Sequence, residues 1–515
     1  MNIPNRARAW CRECFHPVLE WWNEGINPDP RKWPSDMPLL RWNGWRKFTV
    51  SHSLEHVLAF GATGSGKTSG GLRIVSLAML HAGYGVLFLT AKPEDAGEYL
   101  KWAKLAGREK SVVRFGPGHR PGFNLLEYEL TRDGSFTERT MNIAGILAAA
   151  GEIVARNKTA RNGDAQSWQE AAEQLLFHAI NVVVLATGKV ELDDVVKVAR
   201  SAPETKTEAA DPSWQRDSAC HQKLVMAAQK HGNNRTLELA DDFFRIDWAK
   251  FPDDTKHSVT FTFTKLAGLF QSDPLYRLFF SKTDFTPEIL TDGAVLIVDD
   301  PVLAEGDRGK VVNGLMRLAV ERMMKRRTDT NRERPVAIIW DEFQESVTQA
   351  DKAFAAVARS PRCALVLATQ NVNAVAGILG REDAWSLFGN CRTKLFFAND
   401  DPDTNRFMAD VVGKWPTKKE AKTKGGKEPT TTTNEQDEDA LPPRIALMLK
   451  SGGEEYRRLV TGVLVHGGRV VKDGKPWMEV AYHQKTPVRK WFNVLYRNTA
   501  AVGRRRPAPD FRWLR

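Results

Sequence analysis

Short apolar runs recur along this chain, each closed by small or polar residues. They are Val57 to Phe60, Gly85 to Thr90, Ser111 to Phe115, Ala294 to Val298, Val336 to Phe343, Ala364 to Asn371 and Lys394 to Ala398. Runs this short, rich in Val, Ile, Leu and Phe, predict strands buried on both faces. After the first, Leu72, Ile74, Val75, Leu77, Ala78 and Leu80 fall at helical spacing, and this helix is expected to stop near Gly83 and Gly85. A basic helix over Val311 to Arg327 precedes the run at Val336. Strands alternating with helices predict an α/β fold around a parallel sheet.

From about residue 137 to 285 the period changes. Helical spacing dominates at Trp168 to Leu176, Leu192 to Ala199, Leu224 to Gln229 and Leu237 to Phe244, with polar breaks at 157–164, 202–214 and 230–235. An all-α domain inserted into the α/β body is the expected arrangement. The chain then divides into a Trp- and Arg-rich arm (1–50), the first part of the α/β domain (51–136), the all-α insertion (137–285), the second part (286–490) and a basic tail (491–515). Residues 417–439 are Lys-rich, then a run of threonines, then acidic, which predicts a flexible loop. Leu459 to Leu464 and Val470 to Tyr482 read as β-rich.

With 515 residues, 42% hydrophobic and 27% charged, the chain has the make-up of a soluble globular protein large enough for several domains. Its net charge of +11 favours an acidic partner, nucleic acid before anionic lipid. Five cysteines are few for this length and suggest a reducing, cytoplasmic setting. Cys11-x-x-Cys14, with His16 nearby, is the one spacing that hints at a metal; no second pair follows, so reduced thiols are the expectation. No run approaches the roughly 18–20 apolar residues of a membrane span, and the basic N-terminus has no apolar secretory core.

The chemistry concentrates at two strand ends. Gly61-Ala62-Thr63-Gly64-Ser65-Gly66-Lys67-Thr68-Ser69 follows the Val57 strand and opens the next helix, which is the G-x-x-x-x-G-K-[ST] pattern in its proper context. Glycines let successive backbone N–H groups face phosphate oxygens, and the helix N-terminus adds partial positive charge. Lys67 is expected to reach the β- and γ-phosphates of ATP, with the Thr68 hydroxyl on Mg²⁺. At the end of the Val336 strand stand Asp341, expected to support Mg²⁺, and Glu342, expected to orient or deprotonate the attacking water. Gln370, after the Ala364 strand, is a candidate sensor of the γ-phosphate or the water. Arg359 and Arg362 are candidates for a finger reaching into a neighbouring subunit's site. Lys92 and Glu94, in the turn after the Gly85 strand, could face the nucleotide, because ligands bind at the carboxyl ends of parallel strands.

In order along the chain these pieces resemble the coupling ATPases of type IV secretion and conjugation (TraG/TraD-like), within the FtsK/HerA group of RecA-like motors. The likeness runs from about Leu54 to Pro487. It includes Gly61 to Thr68, Thr90-Ala91-Lys92-Pro93-Glu94, Phe115-Gly116-Pro117, Phe123-Asn124-Leu125-Leu126, Trp340-Asp341-Glu342-Phe343, Thr369-Gln370-Asn371 and Asp401-Pro402-Asp403-Thr404. The resemblance implies a RecA-like P-loop NTPase domain with an inserted all-α domain, assembled as a homo-hexameric ring. It further implies hydrolysis of ATP with Mg²⁺, and DNA plus relaxosome or secretion-channel proteins as partners. Family members usually begin with transmembrane helices, where this sequence has the Trp-rich arm, so membrane contact is expected only through partners. A soluble FtsK/HerA-like translocase of a mobile element and a nucleotide-gated adaptor for protein substrates are the two alternative readings.

Overall fold

A computed structural model describes residues 33–42, 46–155, 164–327, 333–423, 430–469 and 475–484, together with 510, 511 and 514. The Cys11 and Cys14 pair, most of the Trp-rich arm and the arginines of the tail lie outside the described residues.

The strands are β1 (Pro38–Trp42), β2 (Arg46–Thr49), β3 (Val57–Phe60), β4 (Gly85–Leu89), β5 (Val112–Phe115), β6 (Val295–Val298), β7 (Val336–Trp340), β8 (Cys363–Thr369), β9 (Thr393–Phe396), β10 (Lys414–Thr423), β11 (Thr430–Asp439), β12 (Leu459–His466) and β13 (Trp477–His483). Nine of them form one sheet in the order β13-β12-β9-β3-β8-β7-β4-β6-β5. From β9 to β5 every neighbouring pair is parallel, and β12 and β13 add antiparallel at the β9 edge.

The side-chain period of two splits each parallel strand between two cores. Leu58, Phe60, Leu87, Leu89, Ile338 and Leu367 face the larger core. Val57, Ala59, Val86, Phe88, Ile339 and Val366 face the other, under the helices Arg73–His81 and Asp95–Leu105. Each predicted strand of the α/β body is present, within a residue or two at its start and up to three at its end. The described part of the arm packs onto the second core: β1 and β2 form a hairpin, the rings of Trp42 and Phe48 lie 5.7 Å apart, and Trp33 Nε1 donates to the Ala82 carbonyl at 2.6 Å.

Between β5 and β6 the described chain is helical, led by Phe136–Ala155, Asp164–Thr187, Ala219–His231 and Asp253–Gln271. These helices share the larger core with the sheet, so no solvent layer divides the two regions. The link is the helix Asp307–Lys325. Gly314 lets Ile153 approach so closely that an added Cβ would lie 2.5 Å from its Cδ1, and Arg322 donates to Asn142 at 2.6 Å.

Two expectations are corrected. The polar break at 202–214 holds two short helices, Lys206–Ala210 and Pro212–Asp217, each begun by a side-chain cap, from Thr205 and Asp211. The expected loop at 417–439 is largely the antiparallel pair β10–β11, whose register places Lys414 opposite Asp439 and Lys418 opposite Glu435. Backbone pairing needs no apolar face, and the β-branched run Thr430 to Thr433 favours extended chain.

Candidate active site

The phosphate loop leaves the C-terminal end of β3 and turns on Gly64 (φ 78°) and Gly66 (φ 84°), both in the left-handed region that favours glycine. Gly66 has a second constraint, since an added Cβ would lie 2.5 Å from a Val460 methyl of β12. The loop enters its helix through a wide, π-type turn, Thr68–Leu72, in which the N–H of Leu72 reaches the Lys67 carbonyl at 3.0 Å. Such turns frequently mark functional sites.

Strand order brings the second half of the site alongside. β8 lies between β3 and β7, so Asp341 and Glu342 emerge one strand away from the loop, with Gln370 between them. Thr68 Oγ1 donates to Asp341 Oδ2 at 2.5 Å, and Lys67 Nζ donates to Glu342 Oε1 at 2.6 Å. Lys67 also stands 4.0 Å from Asp341, and Gln344 Nε2 donates to the other oxygen of Glu342 at 2.8 Å. Glu342 adopts φ 47°, ψ 47°, a strained geometry for a residue with a Cβ, which points to a functional constraint. The side chains of Lys67, Asp341 and Glu342 retain 6%, 1% and 3% of their exposure.

Burial alone pushes both carboxyls up. For Asp341 burial prevails over the Lys67 charge, and its carboxyl titrates above the ordinary range. For Glu342 burial is overcome by the Lys67 charge and the hydrogen bonds from Lys67 and Gln344, so its carboxyl is held below that range. Nearby, burial lifts Asp95 to about 6 even though its Oδ2 accepts the N–H groups of Ala91 and Lys92 at 2.8 and 2.7 Å.

The residues fit a magnesium nucleotide. Mg²⁺ favours one or two protein oxygens plus phosphate and water over an all-protein cage. Thr68 and Asp341 supply that donor set, and no cluster of three metal-binding side chains exists among the described residues. The cavity above the loop is lined by Ala62 to Ser69, Lys92, Glu342 and Gln484. A second cavity of about 490 Å³ adjoins it, reached past Lys92, Glu94 and Asp95.

Gln370 begins one residue beyond the Thr369 carbonyl, which accepts the Gly61 N–H at 3.3 Å, and its own carbonyl is held by Asn399. Its side chain is not among the cavity walls. Arg359 and Arg362 lie elsewhere, before β8 starts and so at the opposite sheet edge from the loop. Arg359 stands 3.5 Å from Glu55, and Arg362 donates to the Trp33 carbonyl.

Gln484 escapes sequence reasoning. Just past β13, its Nε2 donates to Ser69 Oγ at 3.0 Å, its Oε1 accepts the Gly453 N–H, and its carbonyl accepts from Arg73. No local pattern marks it, because its position depends on β12 and β13 folding back beside the loop.

A phosphate loop, an Asp-Glu pair one strand away and an intervening strand define a RecA-like P-loop NTPase, here carrying an all-α region between β5 and β6. The chain belongs to the type IV secretory system conjugative DNA transfer family, whose pattern matches residues 27–444. Solved structures share the fold. The bacterial conjugative coupling protein TrwBdeltaN70 with sulphate is 14% identical with a TM-score of 0.56, over 86% of this chain and 90% of that one. Plasmid coupling protein TrwB with a non-hydrolysable ATP analogue is 14% identical with a TM-score of 0.55, over 88% and 92%. TrwB with ADP and Mg²⁺ is 13% identical with a TM-score of 0.54, over 88% and 91%. No curated protein matches the chain in sequence. Among the described residues, no helix is long and apolar enough to cross a membrane.

Proposed function

We propose that this chain is an ATP-driven DNA-handling motor of the coupling type, delivering DNA and attached protein to a type IV secretion channel. The observation that carries the reading is the meeting of Lys67, Thr68, Asp341 and Glu342 at one sheet edge, in a chain of the conjugative DNA-transfer family. Binding of an ATP analogue, and of ADP with Mg²⁺, by TrwB supports ATP as the nucleotide.

The loop N–H groups and Lys67 hold the β- and γ-phosphates, and Lys67 opposes the negative charge of the transferring group. Thr68 and Asp341 would hold Mg²⁺, which would supply charge that neutralises phosphate. Drawing Lys67 toward phosphate releases Glu342, which orients the attacking water and accepts its proton. Gln370 reports the γ-phosphate to the loops beyond β8. Arg359 or Arg362 would serve such a site only across a subunit boundary, within a homo-hexameric ring. The all-α region engages DNA or the relaxosome, and membrane contact, at the cytoplasmic face, comes through partner proteins.

ATPase rate with and without single- and double-stranded DNA, with particle size measured alongside, tests the reading. Strong stimulation in a ring-sized particle is expected. A flat rate without DNA binding would overturn it.

A further inference from the structure

Away from the phosphate loop, two arginines stand near one carboxylate, and a third is anchored beside it by its backbone. Glu55, just before β3, is 4% exposed at its side chain; Arg359 stands 3.5 Å from it and Arg469 3.6 Å. Arg392, just before β9, donates its backbone N–H to the Glu55 carbonyl at 2.8 Å. All three arginines are exposed, and the Arg392 guanidinium has no acid partner among the described residues. The place is the edge where β3, β8 and β9 begin and antiparallel β12 ends, separated from the phosphate loop by the length of β8, roughly 23 Å.

One carboxylate cannot neutralise three guanidiniums, so the edge keeps net positive charge. Two imidazoles embedded in it respond. His52 and His466, with ring centroids 4.9 Å apart, are both held toward the neutral form. Burial is the first cause for each; Arg469 adds to it for both, and His52, Arg392 and Lys394 for His466. Net positive charge on an exposed edge attracts an anion.

We propose that Arg359, Arg392 and Arg469 form a contact surface for the phosphate backbone of DNA. The inference rests on the DNA-handling reading and places one contact of that substrate. The guanidinium fork matches phosphate oxygens two at a time, and a polymeric anion can occupy several forks at once. Glu55 keeps Arg359 and Arg469 aimed outward from a common root without cancelling them. DNA is favoured over a lipid surface because both described tryptophans of the arm, Trp33 and Trp42, are buried in the second core rather than presented to an interface.

The test is fluorescence anisotropy of the full chain with labelled single-stranded and duplex oligonucleotides across a salt series, alongside vesicles rich in phosphatidylglycerol. R392A/R469A is expected to bind DNA about ten-fold more weakly, with the log–log salt slope shallower by about 2 and basal ATPase unchanged. R359A is expected to lower the slope by about one more. Wild-type binding with an unaltered slope in R392A/R469A overturns the proposal and leaves the DNA reading standing. No wild-type DNA binding at all overturns the reading itself. Loss of vesicle binding with DNA binding intact overturns the proposal in favour of lipid.

Discussion

Lys67, Asp341 and Glu342, where the parallel strands end, are almost sealed from solvent and satisfy one another, whereas Arg359, Arg392 and Arg469, where those strands begin, are exposed, with one carboxylate near two of them. One sheet carries both edges, yet they use charge differently. At the buried edge each charged group is held by specific partners, and the low dielectric makes a misplaced or unpaired charge costly. At the exposed edge water and salt screen each charge, so geometry matters less than total charge. The buried edge is suited to acting on one bond in one small ligand, and the exposed edge to holding a long anion in many registers.

The sharpest way to break this contrast is at the buried edge. Lys67→Ala removes a donor to phosphate, worth on the order of 10²–10³ in turnover. Glu342→Gln removes the proposed base, worth on the order of 10²–10⁴. Both variants are expected to fold with unchanged circular dichroism, and neither loss should be recovered by changing salt between 50 and 300 mM. Substantial ATPase in Glu342→Gln would remove the base assignment.

Behind this edge lies a buried ion cluster. Arg317, fully buried, donates to the Ser346 carbonyl at 2.9 Å, pairs with Asp351, stands 3.6 Å from Glu321, and lies 4.2 Å over the Trp340 ring. It ties the end of β7 and the loop that carries Glu342 to the helix contacting the all-α region. Arg317→Met leaves buried carboxylates without their partner and is expected to cost about 3–5 kcal/mol. Thermal unfolding measures this; a shift of less than about a degree would show that the cluster relaxes around the loss.

A smaller effect is expected at Gln484. Gln484→Ala removes the bonds to Ser69 and Gly453, together about 1–3 kcal/mol. It should raise KM for ATP several-fold while leaving kcat within about two-fold, because Gln484 touches the loop but not the reacting atoms. An equal fall in kcat would instead give it a share in the chemistry.

The smallest effect is a pH dependence at Asp95. Its folded carboxyl is raised to about 6, so the folded state holds a proton that the unfolded state has released, and this contribution to stability is lost as pH rises from about 4 to 6. Asp95→Asn should flatten that part of the unfolding-temperature profile by a degree or two. A profile parallel to that of the wild type would assign the slope to other groups.

Much of the buried edge was legible in the sequence because it is local: Gly61 to Ser69 and Asp341-Glu342 each carry their chemistry in consecutive residues at the end of an apolar run. Their meeting followed from parallel strand order. Gln484, Val460 and the Arg317 cluster were not legible, since each depends on which distant elements pack together. Arg359 and Arg362 stood out by residue type, but only strand direction shows that they sit at the far end of β8. The hairpin at 414–439 was hidden by polar composition, which reports the absence of an apolar face and not the absence of backbone pairing.

One consequence follows from the packing of Val460 on Gly66 and of Gln484 on Ser69. Part of the wall of the loop that grips phosphate is made 415 residues after the loop itself. A ribosome that has not yet reached β13 holds a chain with the signature of an NTPase and an unfinished grip. Nascent and prematurely ended chains should therefore hold nucleotide weakly and consume little ATP, and the site is complete only when β13 is in place.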